Sequence, residues 1–395
     1  MLKITEDVYW VGALDPNLRV FDIIMKAERG TTYNSYLVRG QEKTALIEAV
    51  KSGFLEDLLN NLNDLCAPED LDYIILNHHE PDHTGALKEL LKKAVNAQVV
   101  VSITGKRFLQ GILNEDINPL QVKDGDFIDL GGKTLEFIHA PFLHWPDTMF
   151  TYLKEDNILF SCDSFGCHYA DPKMFDDQVD DFSHAYRYYY DHIVRPFKEY
   201  VLKGGAKLEG KDLKIICPSH GPILRTNPRQ YVDKYMEWSV VPSLERPILA
   251  IYYLSSYGNT AKMAESVAAG ARAVGVTVEL MDITGVEIGK MMDLVEKAAG
   301  IAIGSPTING DAIKPVWDLL SSLATIKLKG KVAAAFGSYG WSGEAVPMIC
   351  ERLKSLRFKV VEAGVKAHLV VDDADLQNCY EYGQLIAQRI FEEVA

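Results

Sequence analysis

The sequence predicts an α/β protein of two domains, a mixed α/β domain over residues 1–246 followed by a doubly wound parallel sheet over residues 247–395. Three observations carry this expectation. A chain of 395 residues exceeds the size at which a single hydrophobic core stops growing. Short β runs dominate as far as about Ser239, whereas longer apolar runs alternate regularly with helical stretches beyond Pro247. Between the two, Pro242 and Pro247 bracket Ser243-Leu244-Glu245-Arg246, which places the boundary near Arg246.

In the first domain the β runs include Thr44 to Val50, Tyr73 to Leu76 and Val99 to Ile103, interrupted by helical stretches such as Gly85 to Lys93. A second β-rich half resumes at Gly131 to Ile138, so two sheets with helices outside them are expected, without a residue-level repeat. In the second domain, Ile248 to Tyr253, Ala299 to Gly304 and Val332 to Gly337 are nearly continuous apolar runs. That pattern suits strands of a parallel sheet covered on both faces, with Thr260 to Val274 and Ala345 to Leu356 as helical crossovers.

Composition narrows the function. Forty-one basic residues against 55 acidic ones leave a formal charge of −14, spread along the chain, which repels a nucleic-acid backbone or an anionic membrane. No apolar run approaches the roughly 20 residues that span a bilayer, and the start, Met1 to Asp7, lacks the basic-then-apolar pattern of a signal peptide. A cytoplasmic protein is expected. Six cysteines form no C-x-x-C pair, so a rubredoxin-type or zinc-ribbon module is not expected in this chain.

The most informative stretch is Asn77-His78-His79-Glu80-Pro81-Asp82-His83-Thr84-Gly85, which follows an apolar strand and precedes a helix. Five potential metal ligands in six positions on such a loop are hard to explain as packing. The spacing H-x-E-x-D-H resembles the H-x-H-x-D-H signature of the metallo-β-lactamase superfamily, whose remaining ligands are a histidine, an aspartate and a histidine from later loops. This chain supplies His144, Asp163 and His220 in that order, each after an apolar run. The second motif position is Glu80 where the zinc hydrolases carry histidine, and a carboxylate-rich N/O set suits iron better.

That substitution, with the segments Leu143 to Asp147 and Arg29 to Val38, resembles the flavodiiron proteins over essentially the whole chain. The resemblance implies a metallo-β-lactamase-like αββα sandwich carrying two iron ions, fused to a flavodoxin-like FMN domain. Carried over by motif position, His78, Glu80 and His144 hold one iron, Asp82, His83 and His220 the other, and Asp163 bridges them. His79 falls at the variable position and is expected to point away from the metals. His168, and one of the tyrosines in Tyr188-Tyr189-Tyr190, with Tyr189 and Tyr190 the catalytic candidates, resemble family positions that approach the iron pocket as hydrogen-bond donors behind the ligands; an aromatic helix face in the core is the competing reading of the tyrosines. His139, His184, His192 and His368 match no motif position and are expected to be structural or surface residues.

Three loops follow strands of the second domain. Ser255-Ser256-Tyr257-Gly258-Asn259-Thr260 opens a helix and has the form of a flavodoxin phosphate loop, with hydroxyls and backbone N–H groups where the helix dipole favours an anion. Ser305-Pro306-Thr307-Ile308-Asn309-Gly310 and Ser338-Tyr339-Gly340-Trp341, with Gly343, lie at the carboxyl ends of later strands, where doubly wound sheets bind ligands. Tyr339 or Trp341 can cover a flat ring, and FMN is favoured over FAD or NAD because no ribose-binding acid or long G-x-G-x-x-G loop appears.

The resemblance implies reduction of O₂ to water and/or of NO to N₂O, with electrons relayed through FMN from an external carrier, rubredoxin being the expected donor. It also implies a head-to-tail homodimer or a dimer of such dimers. The alternative is a binuclear metal hydrolase with an appended flavin domain.

Overall fold

Strand residues in the N-terminal part alternate between two cores, as the two-residue period of an extended chain requires. On Tyr73–Leu76, Ile75 faces one cluster with Val8, Ile47, Val100, Phe137 and Phe160, while Ile74 and Leu76 face another with helix residues such as Leu58 and Leu62. The shared cluster joins the inner faces of two sheets, and the other packs helices against their outer faces. Fully burying a side chain the size of Phe160 contributes about 1.5–3 kcal/mol, so a one-residue register slip that exchanged the faces would be severely destabilising.

This is a computed structural model, which describes residues 1–394 except 23–24, 242–244, 327, 329 and 362. The chain divides into two units, Met1–Val240 and Val241–Ala395. Half of the expected Pro242–Pro247 linker, residues 242–244, lies outside the described residues.

In the first unit a seven-stranded sheet runs in the order Leu2–Lys3, Val8–Trp10, Tyr36–Arg39, Thr44–Ile47, Tyr73–Leu76, Gln98–Ser102 and Leu120–Val122. Its first three pairings are antiparallel and its last three parallel. A five-stranded sheet follows from Phe127–Asp129 through Thr134–His139, Met149–Leu153 and Ile158–Cys162 to Ile215–Pro218. Its last pairing is parallel, which brings the carboxyl ends of Ile158–Cys162 and Ile215–Pro218 to the same edge.

The second unit is a parallel sheet in the order Thr277–Asp282, Ile248–Tyr253, Gly300–Gly304, Val332–Tyr339, followed by Lys359–Val360 and Val365–His368. In chain order this is 2-1-3-4-5, the flavodoxin-like arrangement, with the topological switch between Ile248–Tyr253 and Gly300–Gly304. Alternate residues of Gly300–Gly304 bury into separate cores: Ile301 and Ile303 against helices Ile288–Lys297, Lys314–Ser322 and Ala345–Ser355, and Ala302 against Asn259–Val274 and Asp373–Val394. Both faces are thus covered, as the uninterrupted apolar runs predict.

Candidate functional site

Every residue of the proposed ligand set stands just past a strand or on the short helix that follows one. His78 and Glu80 follow Tyr73–Leu76, and Pro81 starts the turn Pro81–Thr84, with Glu80 at its N-cap and Asp82 and His83 within it. Proline suits that first helical position because its missing N–H has no partner there anyway. Asp163 follows Ile158–Cys162, His220 follows Ile215–Pro218, and His144 lies on the loop before Met149–Leu153. Non-glycine residues with positive φ cluster at these strand ends, Glu48 at 64°, Cys162 at 54° and Phe165 at 68°. Such strained positions persist only where their surroundings over-determine them, typically at functional sites.

The seven side chains converge into two groups that meet at one carboxylate. Asp163 Oδ2 lies 3.7 Å from His78 Nε2 and 3.5 Å from His144 Nε2. Asp163 Oδ1 lies 3.3 Å from His83 Nε2 and 3.4 Å from His220 Nε2. Glu80 Oε2 closes the first group at 3.2 Å from His78 Nε2 and 3.0 Å from His144 Nε2. Asp82 closes the second, with Oδ2 2.9 Å from His220 Nε2 and Oδ1 3.5 Å from His83 Nε2.

The electrostatics match a cation site. Burial by itself raises the pKa of Asp163, yet the neighbouring His83, His144 and His78 hold it well below the usual carboxylate range. Burial likewise opposes protonation of His144, but hydrogen bonds to Asp163 and Glu80 push it up to about 10. Against the same desolvation, the charges of Asp82 and Asp163 hold His83 well above an ordinary histidine. Protons therefore stand in for metal charge. Asp82 Oδ1 and His83 Nε2 are buried with no hydrogen-bond partner among the described residues, an expensive state that a coordinated cation relieves. The residues present fit two metal ions.

Around this centre the structure sorts the remaining candidates. The Tyr189 hydroxyl donates to Asp163 Oδ1 at 3.1 Å, and the His168 ring packs 5.0 Å from Tyr189 and 5.2 Å from His220 with Nδ1 on Thr31 Oγ1. Burial and the neighbouring His220 push the His168 pKa down to about 3, so this ring is neutral. Tyr190 is a correction: its hydroxyl bonds Ser239 Oγ at 2.9 Å and its ring packs on Tyr235 and Trp238, because the residue after Tyr189 leaves the helix on another face. His79 turns away from the groups and reaches Asp147. His139 and His192 bond main-chain carbonyls.

Two buried acids were not singled out beforehand. Asp147 lies within the quoted Leu143 to Asp147 segment, and its Oδ2 is 2.7 Å from His79 Nδ1 and 3.4 Å from His78 Nδ1. Glu48 accepts the Asn77 N–H and stands 3.9 Å from His83 Nδ1. Its one sequence signal is an acid ending the apolar run of Thr44–Ile47. A cavity of about 250 Å³ lined by Leu18, Phe21, Asp22, Lys51 and Ser52 opens against Glu80 and Asp82.

The second unit holds a cleft of about 500 Å³ built from all three expected loops: Ser256, Tyr257 and Asn259; Pro306, Thr307 and Ile308; Ser338, Tyr339, Gly340 and Trp341. Gly258 takes φ 83° at the N-cap of Asn259–Val274, a conformation that glycine adopts without penalty. Behind the lining, the Ser255 hydroxyl accepts the Ala261 N–H and buried Thr260 pairs with Ser338 at 2.9 Å. Ser305 is buried, Asn309 and Gly310 turn between Thr307–Ile308 and Asp311–Ala312, and Gly343 lies beneath Tyr339. Tyr257 and Trp341 are 94% and 84% exposed. Sequence reasoning missed Leu369 and Val370, which complete the cleft after Val365–His368; two exposed apolar residues between a strand and a helix were the available signal. His368 donates to the Gly340 carbonyl and so supports the third loop.

A family model described as ODP family beta lactamase matches residues 31–221, and a flavodoxin model matches residues 251–383. The chain is 40% identical to the flavo-diiron protein of Clostridium acetobutylicum over 98% of this chain and 99% of that one. It belongs to the flavodiiron family. It is also 37% identical to the nitric oxide reductase of Moorella thermoacetica, over 98% of each chain. Among solved structures, rubredoxin oxygen:oxidoreductase from Desulfovibrio gigas superposes with a TM-score of 0.73 at 32% identity, covering 100% of this flavodiiron chain and 99% of the other. The expected two-domain fold, a metallo-β-lactamase-like domain followed by a flavodoxin-like domain, is the fold of the family.

Proposed function

We propose that this flavodiiron protein is an oxidoreductase that reduces O₂ to water and/or NO to N₂O at a non-haem diiron centre, with residues 1–246 holding the irons and residues 247–395 holding FMN. The single observation that carries the reading is Asp163, whose two oxygens face separate groups, His78, Glu80 and His144 on one side and Asp82, His83 and His220 on the other. When bound, the iron pair supplies electrons and Lewis acidity and FMN relays electrons.

The chain's own residues do the rest. The four histidines and three carboxylates hold and orient the two ions. Tyr189 keeps a hydrogen-bond donor on Asp163 Oδ1, and neutral His168 packs against His220. The cavity beside Glu80 and Asp82, lined by Leu18 and Phe21 as well as Asp22 and Lys51, gives a small substrate room to reach the metal groups. In the second unit the hydroxyls and N–H groups at the start of Asn259–Val274 receive a phosphate, and Tyr339 and Trp341 cover the ring. Relatives named for nitric oxide and for rubredoxin:oxygen chemistry support this reading, with rubredoxin as the external donor. Head-to-tail assembly, as a dimer or a dimer of dimers, and a cytoplasmic location belong to the same proposal. Among the described residues no helix is long and apolar enough to cross a membrane.

Purification from iron-supplemented medium tests the proposal: iron with yellow, noncovalent flavin and turnover of either gas with a reduced donor supports it. A native zinc complex that is inactive when reloaded with iron points instead to the hydrolase alternative.

A further inference from the structure

We infer that His79, at the position the ligand motif leaves free, is a positioning residue that sets how strongly Asp147 polarises the ligand His78. This rests on the diiron reading of the centre. His78 and His79 diverge after the strand Tyr73–Leu76, yet their Nδ1 atoms reach the same oxygen. Asp147 Oδ2 stands 2.7 Å from His79 and 3.4 Å from His78, and the other oxygen, Oδ1, is buried with no partner among the described residues. His79 Nε2 is buried and without a partner there too, so the proton belongs on Nδ1, and His79 is a donor to Asp147.

A carboxylate behind a ligating histidine orients the ring and makes it a stronger electron donor to the metal. Here the short bond goes to His79 and the long one to His78, so His79 draws on negative charge that His78 would otherwise receive. The surroundings are shaped for this arrangement. A Cβ on Gly105 would stand 2.5 Å from His79 Cε1, so only glycine leaves room for the ring. The Ser102 hydroxyl accepts the Gly105 N–H at 3.0 Å and donates to the Asp147 carbonyl at 2.8 Å, tying both walls together.

The test uses the iron-loaded full chain and three substitutions. His79→Leu removes the donor at similar volume, His79→Asn keeps a side-chain N–H near the same place, and Asp147→Asn removes the carboxylate charge. The readouts are the midpoint potential of the iron centre in a spectroscopic redox titration and iron retention against a chelator. Asp147→Asn is expected to raise the potential and to loosen iron by about 10- to 100-fold. His79→Leu is expected to lower the potential without loosening iron, because Asp147 then serves His78 alone, and His79→Asn should stay close to the parent. In the double variant His79→Leu/Asp147→Asn, His79→Leu should add nothing. Should His79→Leu not fold, Gly105→Ala displaces the His79 ring without touching a ligand and is expected to lower the potential likewise. A potential that His79→Leu or Gly105→Ala leaves unmoved, or shifts in the same direction as Asp147→Asn, overturns the role of His79. Parent protein that binds no iron would instead overturn the diiron reading beneath it.

Discussion

The two ligand sites of this chain are built on opposite plans. In the metal centre all seven proposed ligands except Glu80 and His144 are buried, and the acids and histidines are already interlocked at 2.9–3.7 Å. In the flavin cleft the lining is open: Tyr257, Trp341, Leu369 and Val370 are all exposed, and hydrogen bonds lie behind the loops rather than across them. The contrast fits what each site is proposed to hold. Cations need converging charged groups that are costly to bury singly, so those groups must be mutually compensated. A planar cofactor brings its own apolar surface and a phosphate, and needs only rings and a helix N-terminus to receive them. Substitutions in the first site should therefore propagate, and those in the second should stay local.

The largest expected effect is from Asp163→Asn. Because each carboxylate oxygen faces a different group, both metal positions should weaken, by more than the about 10- to 100-fold that outer partners cost. His220→Ala should mainly empty one position. Iron-to-protein ratios decide this, and equal, mild losses from the two variants would break the claim that one carboxylate spans both groups.

Next in size is a proton effect. In the metal-free chain hydrogen bonds to Asp163 and Glu80 push His144 up to about 10, and the charges of Asp82 and Asp163 hold His83 well above an ordinary histidine, so these two rings carry protons at pH 7 that ligation must expel. Metal affinity should fall as pH falls, and calorimetry in buffers of differing ionisation heat should show net proton release. The sign for folding is the reverse: a raised histidine pKa contributes stability to the metal-free chain that is fully present below about pH 6.5 and lost as pH rises through about 10. Binding without proton release would contradict the interlocked picture.

A smaller and local effect is expected in the cleft. Trp341→Ala should cost about 0.5–1.5 kcal/mol of stacking, or roughly two- to tenfold in FMN affinity, with iron content unchanged. Fluorescence titration of FMN reads the first and metal analysis the second. Smallest of all, Tyr190→Phe should lower thermal stability by about 0.5–1.5 kcal/mol through the lost Ser239 bond and leave turnover alone, whereas Tyr189→Phe, with no bond to Asp163, should change turnover. Matching turnover defects in the two would put both phenols at the centre.

How much was legible in the sequence follows the same division. The proposed ligand residues stand out because acids and histidines packed into His78 to His83 have no cheap structural explanation, and the sheet topology gathers the later ones at strand ends. Asp147 and Glu48 were missed because a single acid beside an apolar run looks like any solvated residue until burial is known. Tyr189 and Tyr190 could not be separated, since neighbours on a helix differ only in which face they present. The three loops that line the cleft of the second unit could be picked out by their glycines and hydroxyls after apolar strands. Leu369 and Val370 were not, because an exposed apolar pair carries no chemical signature.

Electrons from an external donor are proposed to pass through FMN in the second unit before they reach the irons in the first. Ser256→Asp tests it most directly: Ser256 is exposed in the cleft at the start of Asn259–Val274, so a negative charge there opposes a phosphate without disturbing the buried Thr260–Ser338 pair. The measurement is turnover of O₂ or NO by this flavin-free, iron-loaded variant with reduced rubredoxin. The expected result is full iron content and one reoxidation from the reduced state, without sustained turnover. Normal multiple turnover in the absence of bound flavin would mean that electrons enter the metal centre directly, and would contradict the account.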